Sequence, residues 1–333
     1  MSLFITSIIF ISILIIGHEF GHFFAAKLFK LKVLEFSLGF PPRIFSKKIG
    51  ETKYSFNALP FGGFVRIHGE EDKGEELEEP ERSFIHQPAW RRALIILAGV
   101  IMNFLIGWLA LTLVLSVGLP NRVIIEEVFP GSPASEAGFK TGDQIKDFNS
   151  AETFSQFIEA NKGQSISLNG QTLTPRADPP EGEGPLGIKI VEVGAPSQNF
   201  ARSLWQGLVA AILTLGFIFK AIFFFFAGVF TGNFAVLSEV TGPVGVFSLI
   251  NDAGELGFIY LVNFLGLISL NLAAINLIPF PALDGGRLLF VGVEKLIGRP
   301  VNRRWEAALN ALGLALLLTL MLVITFRDIM KLI

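Results

Sequence analysis

Residues 17–23 read GHEFGHF and close an apolar run that begins at Leu3 and contains no other charged residue. Ionisable side chains in a bilayer are costly, so such residues face a cavity or a partner. His18 and His22 are four positions apart and therefore share one face of a helix. Two imidazoles so placed can bind one zinc ion, and Glu19 can act as general base on a metal-bound water. The alternative is a pair of structural histidines in a helix bundle, which three ionisable groups in one turn of a spanning helix disfavour.

The composition indicates a membrane protein. The chain has 333 residues, of which 51% are hydrophobic, a mean hydropathy of +0.56 and a net charge of −2. These values exclude a disordered chain and give no indication of nucleic-acid binding. The absence of cysteine excludes disulfides and thiolate metal sites. No basic residue precedes the first apolar run and no small-residue cleavage site follows it, so we expect an uncleaved transmembrane helix over about residues 3–25.

Four further apolar runs are near the length needed to cross a bilayer, at about residues 93–118, 204–230, 257–280 and 306–326. The loop between the first two runs of the chain is rich in Lys and Arg, and a second basic loop lies at 287–304. The positive-inside rule predicts that both loops are cytoplasmic. Within the first loop, the acidic run 70–81 is typical of a solvated segment.

A third metal ligand is needed, because catalytic zinc sites usually have three protein ligands and a water. The candidate is Asp284 in NLIPFPALDGG, residues 276–286. Pro279 and Pro281 disrupt helix, and irregular backbone at membrane depth is tolerated where it is buried in protein or lines a cavity. We therefore expect Asp284 on a non-helical segment that enters the bundle interior. An ordinary helix end with a turn aspartate is the alternative.

Residues 120–203 are polar, rich in Gly and Pro, and contain short alternating segments that predict a small α/β domain. The stretch VFPGSPASEAGFKTGDQIKDFN, residues 128–149, resembles the core of bacterial PDZ domains. Gly138 and Gly142 would supply turn conformations, and Ala134 and Ala137 the small faces of a short helix. PDZ domains bind extended peptides by strand addition, so the resemblance implies a peptide or substrate segment as partner. A PDZ fold that serves only as a spacer is the alternative.

HEFGH and NLIPFPALDGG, with a PDZ-like domain between them, together resemble the site-2 protease family of intramembrane zinc metalloproteases, and most closely the bacterial regulator-of-sigma-E proteases. RRALIILAGVIMNFLIG (91–107), with Gly99 and Asn103, is similar to the second helix of that family, NALPFGGFVRIHG (57–69) to its cytoplasmic hairpin, and GPVGVF (242–247) to the segment before its third core helix. The chain departs from those proteases in having one PDZ-like domain where they have two.

The resemblance implies that Asp284 completes a Zn²⁺ site with His18 and His22, that Glu19 is the catalytic base, and that Asn276, with Asn271, helps to hold substrate. We further expect the GGFVR hairpin, through Gly62, Gly63 and Phe64, to hold an unwound substrate by strand addition. The predicted activity is cleavage of a single-pass membrane protein within or near its transmembrane segment, with anti-sigma factors or remnant signal peptides as implied substrates. The alternatives are a catalytically inactive PDZ-bearing scaffold and a transporter.

The predicted fold is a polytopic α-helical membrane protein with an inserted α/β PDZ domain, divided into residues 1–119, 120–203 and 204–333. It has four core transmembrane helices, about 3–25, 93–118, 257–280 and 306–326, and a basic loop with a hairpin at 27–92. Residues 204–230 are expected to associate with the bilayer without crossing it, because a crossing would place Asp284 on the side opposite His18 and His22. The predicted location is a bacterial cell membrane, with the active site toward the cytoplasm and the PDZ domain outside.

Overall fold

The computed structural model describes residues 3–70, 78–180, 182–233, 235–236 and 240–332. The chain divides into two compact units, one formed by Met1–Thr112 with Leu204–Ile333 and the other by Leu113–Ser203. In chain order the helices and strands are α1 (Leu3–Leu28), β1 (Val33–Ile49), β2 (Thr52–Ile67), α2 (Ala89–Val117), β3 (Leu119–Val128), α3 (Pro133–Glu136), β4 (Gln144–Ile145), α4 (Ala151–Ala160), β5 (Ile166–Leu168), β6 (Gln171–Leu173), β7 (Ile188–Ala195), α5 (Phe200–Phe230), α6 (Pro243–Leu256), α7 (Phe258–Leu277), α8 (Asp284–Ile297) and α9 (Arg303–Leu332).

Five of the helices among the described residues are long and apolar enough to cross a membrane: α1, α2, α5, α7 and α9. They coincide with the five apolar runs of the sequence, which confirms that each run is helical. Helix α5 belongs to this group by its length and composition only. That it associates with the bilayer without crossing it therefore stays a prediction. The helices α6 and α8 were not expected, since each follows a break and is too short to cross.

Small residues let α1, α2 and α7 approach one another closely. A side chain added at Gly21 of α1 would lie 2.2 Å from the backbone oxygen of Ala98 in α2. Further along α2, a side chain at Gly107 would lie 2.6 Å from Leu270 in α7. Helix pairs in membranes commonly pack through such small residues, because packing and hydrogen bonding replace the hydrophobic drive. The hydroxyl of Ser269 adds a hydrogen bond of 2.8 Å to the carbonyl oxygen of Asn103.

The predicted cytoplasmic hairpin is a more elaborate sheet. Strands β1 and β2 are antiparallel, and residues 33–38 have partners on both sides: Leu38, for example, pairs with Gly63 and with Phe56. The second part of β1 pairs in turn with the first part of β2, as at Ile49 and Thr52. Four strand segments therefore lie in the order 63–67, 33–38, 52–57 and 43–49. The GGFVR stretch is an outer segment of this sheet rather than the turn of a hairpin.

One face of this sheet packs on α1. The ring of Phe23 is 5.2 Å from Phe36 and 6.1 Å from Tyr54, measured between centroids. Buried apolar side chains from α1, β1, β2, α2, α8 and the loops after α1 and β2 form one cluster there, which comprises Ala25, Ala26, Leu31, Val33, Ile67, Phe84, Ile95, Ile96 and Val291. The sheet is therefore fixed beside the half of α1 that carries the histidines.

The second unit is an α/β domain with its own apolar core. A three-stranded sheet in the order β4-β3-β7 is accompanied by the pair β5-β6 and by the helices α3 and α4. Ser132 caps α3 by accepting a hydrogen bond from the backbone of Ser135, and Ala134 in this helix is buried. Gly138 and Gly142 have φ angles of 88° and 94°, as the turns predicted at these positions require.

Candidate metal centre and active site

Three predicted ligands meet at one point. His18 and His22 lie on α1, and their Nε2 atoms are 3.2 Å apart. The Oδ2 atom of Asp284 is 3.1 Å from Nε2 of His18 and 3.2 Å from Nε2 of His22. Within the part of the chain that the structure describes, these residues form the single group of His, Asp and Glu side chains able to hold a metal ion. The triangle unites residues more than 260 positions apart in sequence.

The residues fit zinc. Tetrahedral zinc with bonds of about 2.0–2.1 Å requires ligand atoms separated by roughly 3.3 Å, which the three distances approach. The Oδ2 atom of Asp284 is buried without a hydrogen-bond partner among the described residues, although it lies between two imidazole nitrogens. A carboxylate oxygen and two neutral imidazoles form a donor set typical of catalytic zinc. A metal ion would satisfy this oxygen and relieve the crowding of three ligand atoms.

Hydrogen bonds from α2 orient both imidazoles. Nδ1 of His22 lies 2.9 Å from the carbonyl oxygen of Ile95, to which it donates, and this leaves Nε2 free for a metal. Nδ1 of His18 lies 3.3 Å from the Asn103 amide, whose Oδ1 is buried without a described partner. Because amide oxygen and nitrogen are interchangeable by a 180° rotation, Asn103 can accept from His18 in the same way. The sequence resemblance marked Asn103 but did not indicate this contact.

Gly99 permits the approach of α2 to the ligands. A side-chain carbon at this position would lie 2.4 Å from Nε2 of His22 and 2.8 Å from Cε1 of His18. Any residue other than glycine would therefore displace the metal-facing edges of both rings. Gly99 lies in the segment that is similar to the second helix of the family, but the reason for a glycine there appears only when α2 is placed beside α1.

The position of Asp284 differs in one respect from the expectation. The non-helical segment ends at Leu283, and Asp284 is the first residue of α8. A carboxylate is favourable there, because the positive end of the helix dipole faces it. Gly285 and Gly286 allow this turn to pack under the preceding segment: side chains there would lie 2.1 Å from the oxygen of Ile278 and 2.3 Å from that of Phe280. The prolines thus end α7, and the glycines let α8 begin close beside it.

Arg287 lies one turn after Asp284 and faces the same site. Its Nη1 atom is 3.9 Å from Oδ1 of Asp284, the oxygen that points away from the histidines. The guanidinium also pairs with Glu70 and lies 6.0 Å from the ring of Phe84. Arg287 therefore connects the proposed metal ligand with the segment that follows β2.

Glu19 is half-buried beside the outer segment of the β1–β2 sheet. A side-chain carbon added at Gly63 would lie 3.3 Å from Cγ of Glu19 and 3.7 Å from Ile15. The backbone of residues 62–66 thus runs next to the predicted base. No described strand pairs with the edge of this segment that faces away from residues 33–38. The free edge gives an extended peptide a place to bind close to Glu19.

The two asparagines predicted to bind substrate lie on different faces of α7. Asn276 is partly buried and follows Ser269 and Ala273 along the face turned toward α2, whereas Asn271 is exposed. The remaining histidines are held elsewhere: Nε2 of His68 contacts the carbonyl oxygen of Glu78, and Nδ1 of His86 lies 2.7 Å from the hydroxyl of Ser83. Neither belongs to the group of described residues placed to share a metal ion with His18, His22 and Asp284.

Comparison with known proteins places the chain in a protease family. Peptidase family M50 matches residues 6–320, so the chain belongs to this family. A Fusobacterium nucleatum protein named "Putative zinc metalloprotease" is 33% identical, with 99% of each chain covered. The zinc metalloprotease RasP of Shouchella clausii is 30% identical over 96% of this chain and 97% of its own. The regulator of sigma-W protease RasP of Bacillus subtilis is 28% identical over 98% of each chain.

The family and its members establish the class of activity. The chain is a zinc-dependent metalloprotease of the site-2 protease type, and its cofactor is Zn²⁺. Together with the apolar helices, the family membership makes it a multi-pass membrane protein.

Proposed function

We propose that this protein cleaves a peptide bond in or near the transmembrane segment of a single-pass membrane protein, with His18, His22 and Asp284 as zinc ligands and Glu19 as catalytic base. The observation that carries the proposal is the triangle of ligand atoms, 3.1–3.2 Å on each side, at the end of an apolar helix that also bears Glu19. The placement of this chemistry on a membrane helix gives it access to substrates in the bilayer.

The residues divide the chemical work. When bound, zinc lowers the pKa of its water to about 7 and polarises the scissile carbonyl. Glu19 accepts the proton of the attacking water and returns it to the leaving amine. His22 and His18 keep their imidazoles oriented through Ile95 and Asn103. Asp284 would offer Oδ2 to the metal, while Arg287 faces Oδ1.

Substrate would bind in an extended form along Gly62, Gly63 and Phe64. A transmembrane helix has its carbonyl groups tied up in hydrogen bonds, so it must unwind locally before hydrolysis. Addition of the unwound stretch to the free edge of the sheet would satisfy its backbone groups. Gly63 supports this arrangement, since a side-chain carbon at this position would lie only 3.3 Å from Cγ of Glu19. Asn276 would contribute a polar contact from α7, and Asn271 a more peripheral one.

The α/β unit is proposed to be a PDZ domain, residues 120–203, that binds or filters substrate segments. Its outer strand β7 and the helix α4 border a groove of about 130 Å³ whose lining is mostly apolar, with Phe154, Ile158, Leu186 and Ile190 among the lining residues. An extended peptide would fit such a groove by strand addition. The name of the Bacillus subtilis relative refers to sigma-W regulation. This supports membrane-bound anti-sigma factors as one substrate class, beside remnant signal peptides.

We propose a topology with four core spans, the active site toward the cytoplasm and the PDZ domain outside, so that residues 1–119 and 204–333 form the membrane parts. Basic residues between α1 and α2 and around 287–304 support cytoplasmic loops. Because Asp284 is within 3.2 Å of both histidines, the end of α7 must lie at the depth of the end of α1. If α5 crossed, α7 would run outward and separate these residues by a span of roughly 30 Å.

The test combines two variants with two measurements. Glu19→Gln should retain zinc and fold but lose cleavage of a transmembrane test substrate, because an amide cannot accept the proton. Asp284→Ala should lose zinc as well, because it removes a ligand. Zinc content and cleavage are measured on the same purified samples. Full cleavage by Glu19→Gln would remove Glu19 from the mechanism, and unchanged zinc content in Asp284→Ala would remove Asp284 from the metal site.

A further inference from the structure

Glu35 is a buried carboxylate in the β1–β2 sheet that the proposed chemistry does not use. Only 4% of the residue is exposed, although it belongs to a sheet in a basic loop. The cost of burying an ionised carboxylate is high unless it is paired and hydrogen-bonded. The buried carboxylate of Glu35 therefore needs cationic and hydrogen-bonding partners.

Those partners come from three different segments of the sheet. Arg66, on the outer segment that carries Gly63, donates to Oε2 of Glu35 at 2.6 Å. Arg43, from the part of β1 at the opposite edge, donates to Oε1 at 3.0 Å. The hydroxyl of Ser55, from the segment between them, also donates to Oε1. Since Glu35 itself is on the remaining segment, one carboxylate ties together all four.

The contact with Arg66 reaches the proposed substrate edge. Arg66 is three residues from Gly63, whose backbone lies against Glu19. Ser37, two residues from Glu35 on the same face, receives a hydrogen bond of 2.7 Å from Asn57, which extends the buried polar row toward the glycines. A shift of one residue in strand pairing reverses the face of every side chain. The outer segment 62–66 contains two adjacent glycines and therefore has few side chains that could fix its register against residues 33–38. A contact from another segment of the sheet is needed to fix this register.

We propose that Glu35 is a positioning residue, which fixes the outer segment 62–66 against Glu19 and thereby sets the register in which an extended substrate strand presents its scissile bond. The inference rests on the proposed binding of substrate at this edge. It predicts that Glu35 acts on where the substrate lies, and that it has no part in metal binding or proton transfer.

The experiment uses the full-length protein, which contains no cysteine. Phe64→Cys is introduced in the Glu19→Gln background, so that the substrate stays intact, and single cysteines are placed at successive positions through the cleaved region of a single-pass test substrate. With Glu35 present, disulfide formation should peak at one substrate position and alternate with a period of two. With Glu35→Gln, the peak should move by at least one position or spread over several.

Steady-state kinetics of the otherwise unaltered enzyme give the second measurement. Glu35→Gln should lower kcat at the wild-type cleavage site about tenfold and change KM less than twofold, with unchanged zinc content, because a misaligned substrate still binds but presents the wrong bond. Arg66→Met should have the same effect as Glu35→Gln, and Arg66→Lys should show a smaller change of register than Arg66→Met. The double variant Glu35→Gln/Arg66→Met should be no worse than the more affected single variant, because the two residues form one contact. If Glu35→Gln does not fold, Arg66→Met carries the test alone.

Glu51→Gln is the matched control. Glu51 also bridges two cations, at 2.8 Å from Lys27 and 2.6 Å from Arg82, but it lies at the turn between β1 and β2. Glu51→Gln should leave both the cross-linking pattern and kcat unchanged. If Glu35→Gln and Arg66→Met also behave like this control, the positioning role is refuted while substrate binding at the edge stands. If Phe64→Cys forms no disulfide even when Glu35 is present, strand addition itself is refuted, and the inference with it.

Discussion

Substitution of Gly99 by alanine should destroy the metal site without changing any ligand. The new methyl group would lie 2.4 Å from Nε2 of His22, 2.6 Å from Cε1 of the same ring and 2.8 Å from Cε1 of His18, whereas ordinary contact begins at 3.4 Å. The rings must therefore retreat by about 0.6–1.0 Å, while zinc ligands tolerate deviations of only about 0.2 Å. Loss of a hydrogen bond that orients a metal-binding side chain already lowers metal affinity about 10–100-fold. We expect Gly99→Ala to lower zinc affinity by about 100-fold or more.

Zinc affinity is measured by competition with a chromophoric chelator on detergent-purified protein. Gly107→Ala is the control, since it adds the same methyl group to the same helix at a similar distance, 2.6 Å, from Leu270 instead of a ligand. Alanine favours helix over glycine by about 1 kcal/mol, so helix propensity cannot cause the loss. Equal zinc affinity in the two variants would refute the placement of α2 against the imidazoles.

Three further predictions concern the rest of the molecule. Removal of residues 124–195 should let full-length and pre-trimmed substrates be cut equally well if the PDZ domain acts as a filter; loss of folded protein would instead indicate a structural role. Single cysteines just before Leu204 and just after Asn233 should both react with a reagent added from outside, and reaction of the second only from the cytoplasm would contradict the proposed topology. Burial alone would raise the pKa of Glu35, but its hydroxyl and guanidinium partners lower the pKa overall. Its stabilising contribution should therefore be complete above about pH 4.3 and lost as the pH falls further. The difference in thermal stability between wild type and Glu35→Gln should shrink in that range, and a constant difference would exclude an ionised Glu35.

Local patterns predicted the helices and the metal-binding face. Apolar runs of sufficient length gave all five long helices, because the thickness of the bilayer and the helical rise fix that length. The four-residue spacing of His18 and His22 predicted that they share one face of the helix, because helical periodicity is also a local property. Asp284 was predicted from its motif, but its place as the first residue of α8 was not, since the effect of Gly285 and Gly286 depends on the backbone they pack against.

The sequence by itself determined which residues are proposed to carry the chemistry and that the two histidines share one helix face, because motif spacing and backbone periodicity are local properties. Only the tertiary structure decided what surrounds them. The contacts of His18 with Asn103 and of Glu35 with Arg66 join residues 85 and 31 positions apart. The reason for a glycine at positions 99 and 63 is the close approach of His22 and Glu19, respectively, which belong to another element of the fold. Such pairings depend on how whole elements pack and on the order of strand segments, which no local pattern of residues encodes.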